Sequence, residues 1–247
     1  MPDLISAELL KVRTGRTWWY LAAAGVAMCL LTSYGYAVDG RDQLAQGGIT
    51  TGEITANIAR SWMMMFLFAG ILGALSVVRE YGGRTITRTA LLAGSRSRVF
   101  AAKTTAGAAI GLAFGALAAV GAVLSPLAIM STLGLTASWS TATTWVVVGV
   151  VACNVLAALW GGFLGWIIRN PIGAVATVVC LTLLVDPGLQ RLVPEVAKFL
   201  FTIALSSLYG DEKPVLLGVW AAAACALVWL GVAGFSASRL FAARDID

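Results

Sequence analysis

Long apolar stretches without a charged residue constrain this chain more than any other feature of its sequence. A helix needs about 20 apolar residues to cross the roughly 30 Å hydrocarbon core of a bilayer. Only 12% of the 247 residues are charged and 59% are hydrophobic, whereas a soluble domain has about a quarter charged. We therefore expect one all-α polytopic membrane domain, residues 1–247, with six transmembrane helices. The predicted spans are Trp18–Val38, Ser61–Val78, Thr104–Leu124, Thr144–Ile168, Ile172–Val185 and Val215–Phe235.

The distribution of Lys and Arg predicts the orientation. Cytoplasmic segments of membrane proteins carry an excess of these residues, so we expect both termini in the cytoplasm and the chain in the plasma membrane. The predicted inner cations are Lys11, Arg13, Arg16, Arg79, Arg84, Arg88, Arg96, Arg98, Lys103, Arg169, Arg239 and Arg244; the predicted outer cations are Arg41, Arg60, Arg191, Lys198 and Lys213. Because the cations flank apolar runs rather than forming one polar face, the net charge of +5 does not indicate a nucleic-acid partner.

The fifth run is short and is followed by a second short apolar piece. Ile172–Val185 has 14 residues and reaches only about 21 Å as a helix. It begins after Arg169-Asn170-Pro171, a turn with Asn as N-cap and Pro at the first helical position. We expect the segment 186–214 to form short re-entrant helices on the outer side, either gating an exit or capping the surface. Lipid tolerates irregular backbone only where protein or water covers it.

The first sixteen residues predict an interfacial helix. Ile5, Leu9 and Val12 form an apolar stripe at helical spacing, flanked by Glu8 and Arg13. Such a helix lies in the plane of the membrane at the headgroup boundary. The alternative is a solvated tail.

The sequence argues against a chemical centre in this chain. It contains no histidine, which excludes a Ser–His pair and histidine metal sites, and no ionisable residue falls inside the six runs. It also lacks the glycine-rich G-x-x-x-x-G-K-[ST] loop that binds nucleotide phosphates. We expect no catalytic residue, no metal site and no cofactor in this chain. Energy for uphill transport must then come from another polypeptide.

We predict that the segment 79–103 is the cytoplasmic surface that contacts this energy-supplying partner. It is the largest polar inner segment, with six cations and the single acid Glu80. Gly82-Gly83 and Gly94 bound a predicted short helix that starts at Arg84. The alternative is that this segment is an ordinary cytoplasmic loop whose cations follow the positive-inside tendency. That tendency does not account for Glu80 or for a short helix bounded by glycines.

Several short motifs resemble permeases of the type 2 ABC-transporter family, of the actinobacterial type. They are Ala7-Glu8-Leu9-Leu10-Lys11 followed by Trp18-Trp19, then Arg79-Glu80-Tyr81, Leu91-Leu92, and Arg98 through Ala102-Lys103. The six-span layout extends the resemblance over nearly the whole chain and is similar to the type V exporter arrangement. Arg84-Thr85 departs from the Gly-Thr common in the family, and Ser95 stands where Pro is common.

The resemblance implies a function and partners. Two permeases would pair as a homodimer or heterodimer, and each would bind one of two cytoplasmic ATPase subunits that hold ATP and Mg. The residues implied in coupling to the ATPase are Glu8, Lys11, Arg79, Glu80, Arg84, Arg88, Leu91 and Leu92. The second and fifth helices would line the path, which suggests Trp62, Met65, Phe66 and Thr177. The alternative, which is favoured for any one residue, is that the run Trp62–Phe66 faces lipid or packs helices.

The implied activity is export of a hydrophobic or amphipathic substrate, such as a drug, a lipid or an antimicrobial peptide. Multidrug efflux falls within this class. Two alternatives stay open: a non-transporting scaffold or immunity component, and an ion-coupled secondary carrier.

Overall fold

The computed structural model describes residues 2–83, 85–211 and 215–243, and these residues are predominantly α-helical. Arg84, Lys213 and Arg244, which the sequence assigned to polar segments, lie outside the described residues. The helices are α1 (Pro2–Thr14), α2 (Arg16–Ala45), α3 (Thr51–Ser61), α4 (Met65–Gly82), α5 (Ile86–Ala93), α6 (Arg96–Thr132), α7 (Thr141–Ile168), α8 (Pro171–Cys180), α9 (Asp186–Leu192), α10 (Pro194–Ala197), α11 (Phe201–Leu208) and α12 (Val219–Ala243).

Six helical stretches among the described residues are long and apolar enough to cross a membrane, which confirms the predicted all-α class and the number of spans. Four are single helices: α2, α6, α7 and α12. The second span joins α3 and α4 through a 3₁₀ turn at Trp62–Met64, and the fifth joins α8 and α9 through a π-helical turn at Leu181–Val185. Most of the helices extend beyond their apolar runs into polar residues, but the last span begins at Val219 rather than at the predicted Val215, because residues 215–218 are not helical.

The second span forms the centre of the bundle, packed against α7, and small residues allow this contact. A Cβ atom on Gly161 would lie 1.9 Å from the carbonyl oxygen of Gly70. A Cβ atom on Gly73 would lie 2.1 Å from the carbonyl oxygen of Ala158. Glycine is therefore required at these crossings, as expected where helix backbones approach closely in a membrane.

The fifth span is longer than its apolar run predicts, because Asp186–Leu192, which was expected in the re-entrant segment, continues the helix. The helix starts as expected, since Asn170 Oδ1 accepts a hydrogen bond from Gly173 N at 2.9 Å and Pro171 is the first helical residue. It then continues through the π-helical turn to Leu192. Proline clashes with the carbonyl four residues earlier in an α-helix. The wider π-helical turn directly before Pro187 accommodates the ring, so the chain does not break there.

Two short helices follow before α12, within the segment 186–214. α11 is buried among α7, α9 and α12. The Cys153 thiol on α7 donates to the carbonyl of Leu205 at 3.4 Å, and a Cβ atom on Gly149 would overlap the carbonyl of Leu208. α11 is thus an integral part of the bundle. At the other terminus, α1 occupies the segment predicted to be helical; its position at the headgroup boundary stays a prediction.

Candidate functional site: a buried cluster of charges

The first component of the site is one face of α1. Glu8 and Lys11 are three residues apart, so their side chains project from the same side of the helix. Lys11 Nζ donates a hydrogen bond to Glu8 Oε1 at 2.7 Å. Because α1 lies against α6, this charged face points at the beginning of the third span.

Two residues from other helices complete the arrangement. Glu80 lies in the last turn of α4, and Lys103 lies in the third turn of α6. Lys11 Nζ is 2.7 Å from Glu80 Oε1, while Lys103 Nζ is 2.7 Å from Glu8 Oε2 and 3.0 Å from Glu80 Oε1. Each lysine therefore bridges both carboxylates, and the four charges cancel. We call Glu8, Lys11, Glu80 and Lys103 the four-charge cluster.

The cluster is shielded from solvent on all but one side. Glu8, Glu80 and Lys103 are 4%, 7% and 3% exposed, while the Lys11 side chain is half exposed. Partial burial alone lowers the pKa of Lys11, but the hydrogen bonds and negative charges of Glu8 and Glu80 outweigh it and leave this pKa raised. Burying a charge without a partner is costly, so the mutual pairing fixes α1, α4 and α6 relative to one another.

The short helix α5 is attached directly to the cluster. Thr85 N donates to the carbonyl of Glu80 at 3.0 Å, and the Ile86 side chain is fully buried. The helix ends at Gly94, whose left-handed φ of 74° is readily adopted by glycine. Leu91 and Leu92 are 78% and 82% exposed. α5 is thus a surface helix with two exposed leucines, and its N-terminal end is hydrogen-bonded to the cluster residue Glu80.

Two arginines at the same end of the bundle donate hydrogen bonds to the C-terminal end of the last span. Arg96 Nη1 donates to the carbonyl of Phe241 at 3.0 Å, and Arg169 Nη2 donates to the carbonyl of Leu240 at 3.0 Å. Carbonyls in the last turn of a helix lack intrahelical partners, and a nearby cation also favours the negative end of the helix dipole. The Arg169 guanidinium lies 5.0 Å from the centre of the Tyr81 ring. The end of α12 is therefore tied to the end of α4.

The residues implied in coupling divide into two groups. Glu8 and Glu80 are turned into the cluster together with Lys11, so their carboxylates face lysines rather than solvent. Arg88, Leu91 and Leu92 are exposed. Arg79 is also exposed and donates a hydrogen bond to the Thr17 hydroxyl of α2. Arg84 lies outside the described residues.

Sequence reasoning did not select Lys103, although it makes the most buried ion pairs of the cluster. This cation directly precedes the apolar run Thr104–Leu124, a position that the positive-inside tendency already explains. The available signal was Glu80, the single acid in the basic segment 79–103. An acid that is isolated among cations at the end of a span suggests an ion pair with one of them.

A cavity of about 860 Å³ lies at the opposite end of the bundle, and Phe66 is part of its lining. The other residues suggested for a path have different surroundings. Trp62 is buried and its indole N–H donates to Ser125 Oγ at 2.8 Å, and Met65 is fully buried against Gly25. The Thr177 hydroxyl donates to the carbonyl of Gly173 in its own helix at 2.8 Å.

Comparison with known proteins gives one family match. A family model described as "ABC-2 family transporter protein" matches residues 4–185, which include most of α1, all of α5, the whole four-charge cluster and the first four spans. No match is found among curated proteins.

Proposed function

Because the chain belongs to the ABC-2 family of transporter proteins, we propose that it is the membrane-spanning subunit of an ATP-driven exporter. It is a multi-pass membrane protein, and family membership implies association with an ATPase subunit. In this proposal two copies of a cytoplasmic ATPase bind ATP and Mg, and a second permease chain, identical or not, completes the path. Both termini and α5 then lie in the cytoplasm, as the distribution of cations predicts.

The observation that carries the proposal is the pair of exposed leucines on α5. Leu91 and Leu92 are among the most exposed large apolar side chains of the described chain, and they lie on a helix between Gly83 and Gly94 in its most basic segment. An exposed apolar pair within a polar surface is typical of a protein–protein contact. We assign Arg79, Arg84, Arg88, Leu91 and Leu92 to the ATPase contact.

Glu8, Lys11 and Glu80 have a different role in this proposal. They contact each other and Lys103 and stabilise the unit of α1, α4 and α6 to which α5 is attached. A push on α5 then moves the second span as a rigid body, because the buried charges cannot separate without being left unpaired. These are positioning residues for coupling. The driver must still bind two permease conformations with different affinity, since otherwise no population shifts.

The cargo in this proposal is hydrophobic or amphipathic. Phe66 and its neighbours Met63 and Met64 line the cavity on the far side of the second span from α5. Methionine and aromatic side chains adapt to varied apolar ligands. Trp62, Met65 and Thr177 contribute to the path by packing the second and fifth spans in this proposal, rather than by contacting cargo at rest.

The test replaces the leucines by a charged residue. A Leu91→Asp/Leu92→Asp variant should insert and melt normally but lose copurification with a nucleotide-hydrolysing subunit and the stimulation of its ATPase rate. The matched control is Leu192→Asp, which changes a leucine of similar exposure at the opposite end of the bundle. Unchanged ATPase stimulation in the double variant would refute the contact.

Two alternatives predict other results. A scaffold or immunity component leaves the ATPase rate of a partner unaltered in the wild-type protein. A secondary carrier transports under an ion gradient in proteoliposomes without ATP.

A further inference from the structure

The cavity at the opposite end of the bundle is lined mainly by three parts of the chain. They are the beginning of the second span, the fifth span from its π-helical turn through α9, and α11 with the segment that follows it; Tyr36 of α2 and Pro194 of α10 complete the lining. Arg60, at its edge, precedes Glu80 by twenty residues of a continuous span, which corresponds to about 30 Å. The cavity is therefore separated from the four-charge cluster by roughly the thickness of a hydrocarbon core.

Most of the lining is apolar. Met63, Met64 and Phe66 contribute from the second span, and Leu183 and Ile203 face them from the fifth span and α11. Ligand cavities in proteins have volumes of roughly 300–1,000 Å³ and are mainly apolar with a few polar groups. A volume of about 860 Å³ accommodates an alkyl chain together with a polar head.

Two guanidinium groups line the same cavity. Arg60 is held in place by hydrogen bonds to the side chain of Asn57 and the carbonyl of Tyr209. Arg191 is exposed and makes no hydrogen bond or ion pair with any residue that the structure describes. Arginine presents a planar set of donors that matches phosphate and carboxylate oxygens.

The acidic groups nearby do not cancel this charge. Asp211 is the one carboxylate in the described lining, against the two arginines. Asp186 is buried behind the wall and accepts a hydrogen bond from the hydroxyl of Thr202. The charged side chains that face the cavity thus favour an anion.

The π-helical turn gives a second indication of a binding site. Thr182 and Leu183 belong to this turn and line the cavity. Single π-helical turns are rare and occur frequently at functional sites. The same turn accommodates Pro187, and it also brings Thr182 and Leu183 to the wall of the cavity.

From these observations we infer that the cavity binds an amphiphile with an anionic headgroup. The phosphate or carboxylate lies at Arg60 and Arg191, and the apolar chain lies along Met63, Met64 and Phe66. This binding requires no ATPase and no particular direction of transport, so it is tested separately from the proposed function.

The experiment measures binding to the full chain purified in a maltoside detergent. Lysophosphatidylglycerol is the anionic probe, lysophosphatidylcholine has the same tail with a zwitterionic head, and glycerol phosphate has the head without the tail. We expect the anionic amphiphile to bind best to the wild type. Arg191→Gln should weaken its binding about tenfold, since one charge-assisted contact is lost.

The control variant is Arg41→Gln, which removes another exposed cation from the same end of the bundle but outside the cavity lining. It should bind like the wild type, and Arg191→Lys, which retains the charge, should bind more tightly than Arg191→Gln. Equal binding of the two lysophospholipids, or an unchanged affinity in Arg191→Gln, would overturn the anionic headgroup. Binding of glycerol phosphate as tight as that of the lipid would overturn the amphiphile.

Discussion

Removal of one lysine should test whether the four-charge cluster holds the bundle together. Lys103→Met keeps the length of the side chain and deletes a buried cation that lies 2.7 Å and 3.0 Å from two carboxylates. It also removes the hydrogen bond from Lys103 to the carbonyl of Ser76 at 3.2 Å. Two buried carboxylates then share one lysine, and the cluster carries an uncompensated negative charge.

The magnitude follows from burial. Breaking a buried ion pair by deleting one partner costs about 3–5 kcal/mol. We expect about 3 kcal/mol because Lys11 still contacts both Glu8 and Glu80 at 2.7 Å. For a chain of this length such a loss corresponds to a decrease of roughly 6–12 °C in Tm. Lys11→Met should cost only about 1 kcal/mol or less, because its side chain is half exposed and water replaces it.

The assay is thermal unfolding in detergent, followed by tryptophan fluorescence, for Lys103→Met, Lys11→Met, Glu8→Gln and one double variant. Glu8→Gln combined with Lys103→Met restores equal numbers of positive and negative charges in the cluster. The double variant should therefore lose at least about 1 kcal/mol less than the sum of the single variants. Additive losses, or a Lys103→Met protein that melts like Lys11→Met, would refute the reasoning that buried pairing fixes these helices.

Two further substitutions test the packing of the spans. Gly161→Ala should lower Tm strongly, since its Cβ atom would overlap the carbonyl of Gly70. The control Gly231→Ala should not lower Tm, because no atom lies within 4 Å of the added Cβ. Equal Tm values for the two variants would contradict the close crossing of the helices. Trp62→Phe should cost about 1 kcal/mol in thermal unfolding because Ser125 loses its partner. Normal unfolding combined with altered transport in this variant would show that Trp62 contacts cargo.

Hydropathy predicted the spans because it is a local property. Any apolar run of sufficient length must become a helix in lipid, so the number of spans and their approximate places in the chain follow from the sequence alone, although the second span begins at Thr51 and the sixth at Val219 rather than at Ser61 and Val215. The start of the fifth span at Asn170-Pro171 and the end of α5 at Gly94 were also predictable, because cap residues act on their own backbone. The end of the fifth span was not, since Pro187 usually interrupts a helix and only the preceding π-helical turn allows it to continue.

The sequence by itself determined that this chain is a helical membrane protein with a basic end that carries few acids, among them Glu8 and Glu80. Only the tertiary structure decided that these acids face inward and that Lys103, 95 residues from Glu8, pairs with both. The physical reason is that an ion pair depends on how the helices that carry its members are placed, and the position of α4 depends on small residues at its crossing with α7, such as Gly73 on α4 and Gly161 on α7. Composition shows that a charge is present, whereas packing decides whether it contacts water, a partner protein or an opposite charge.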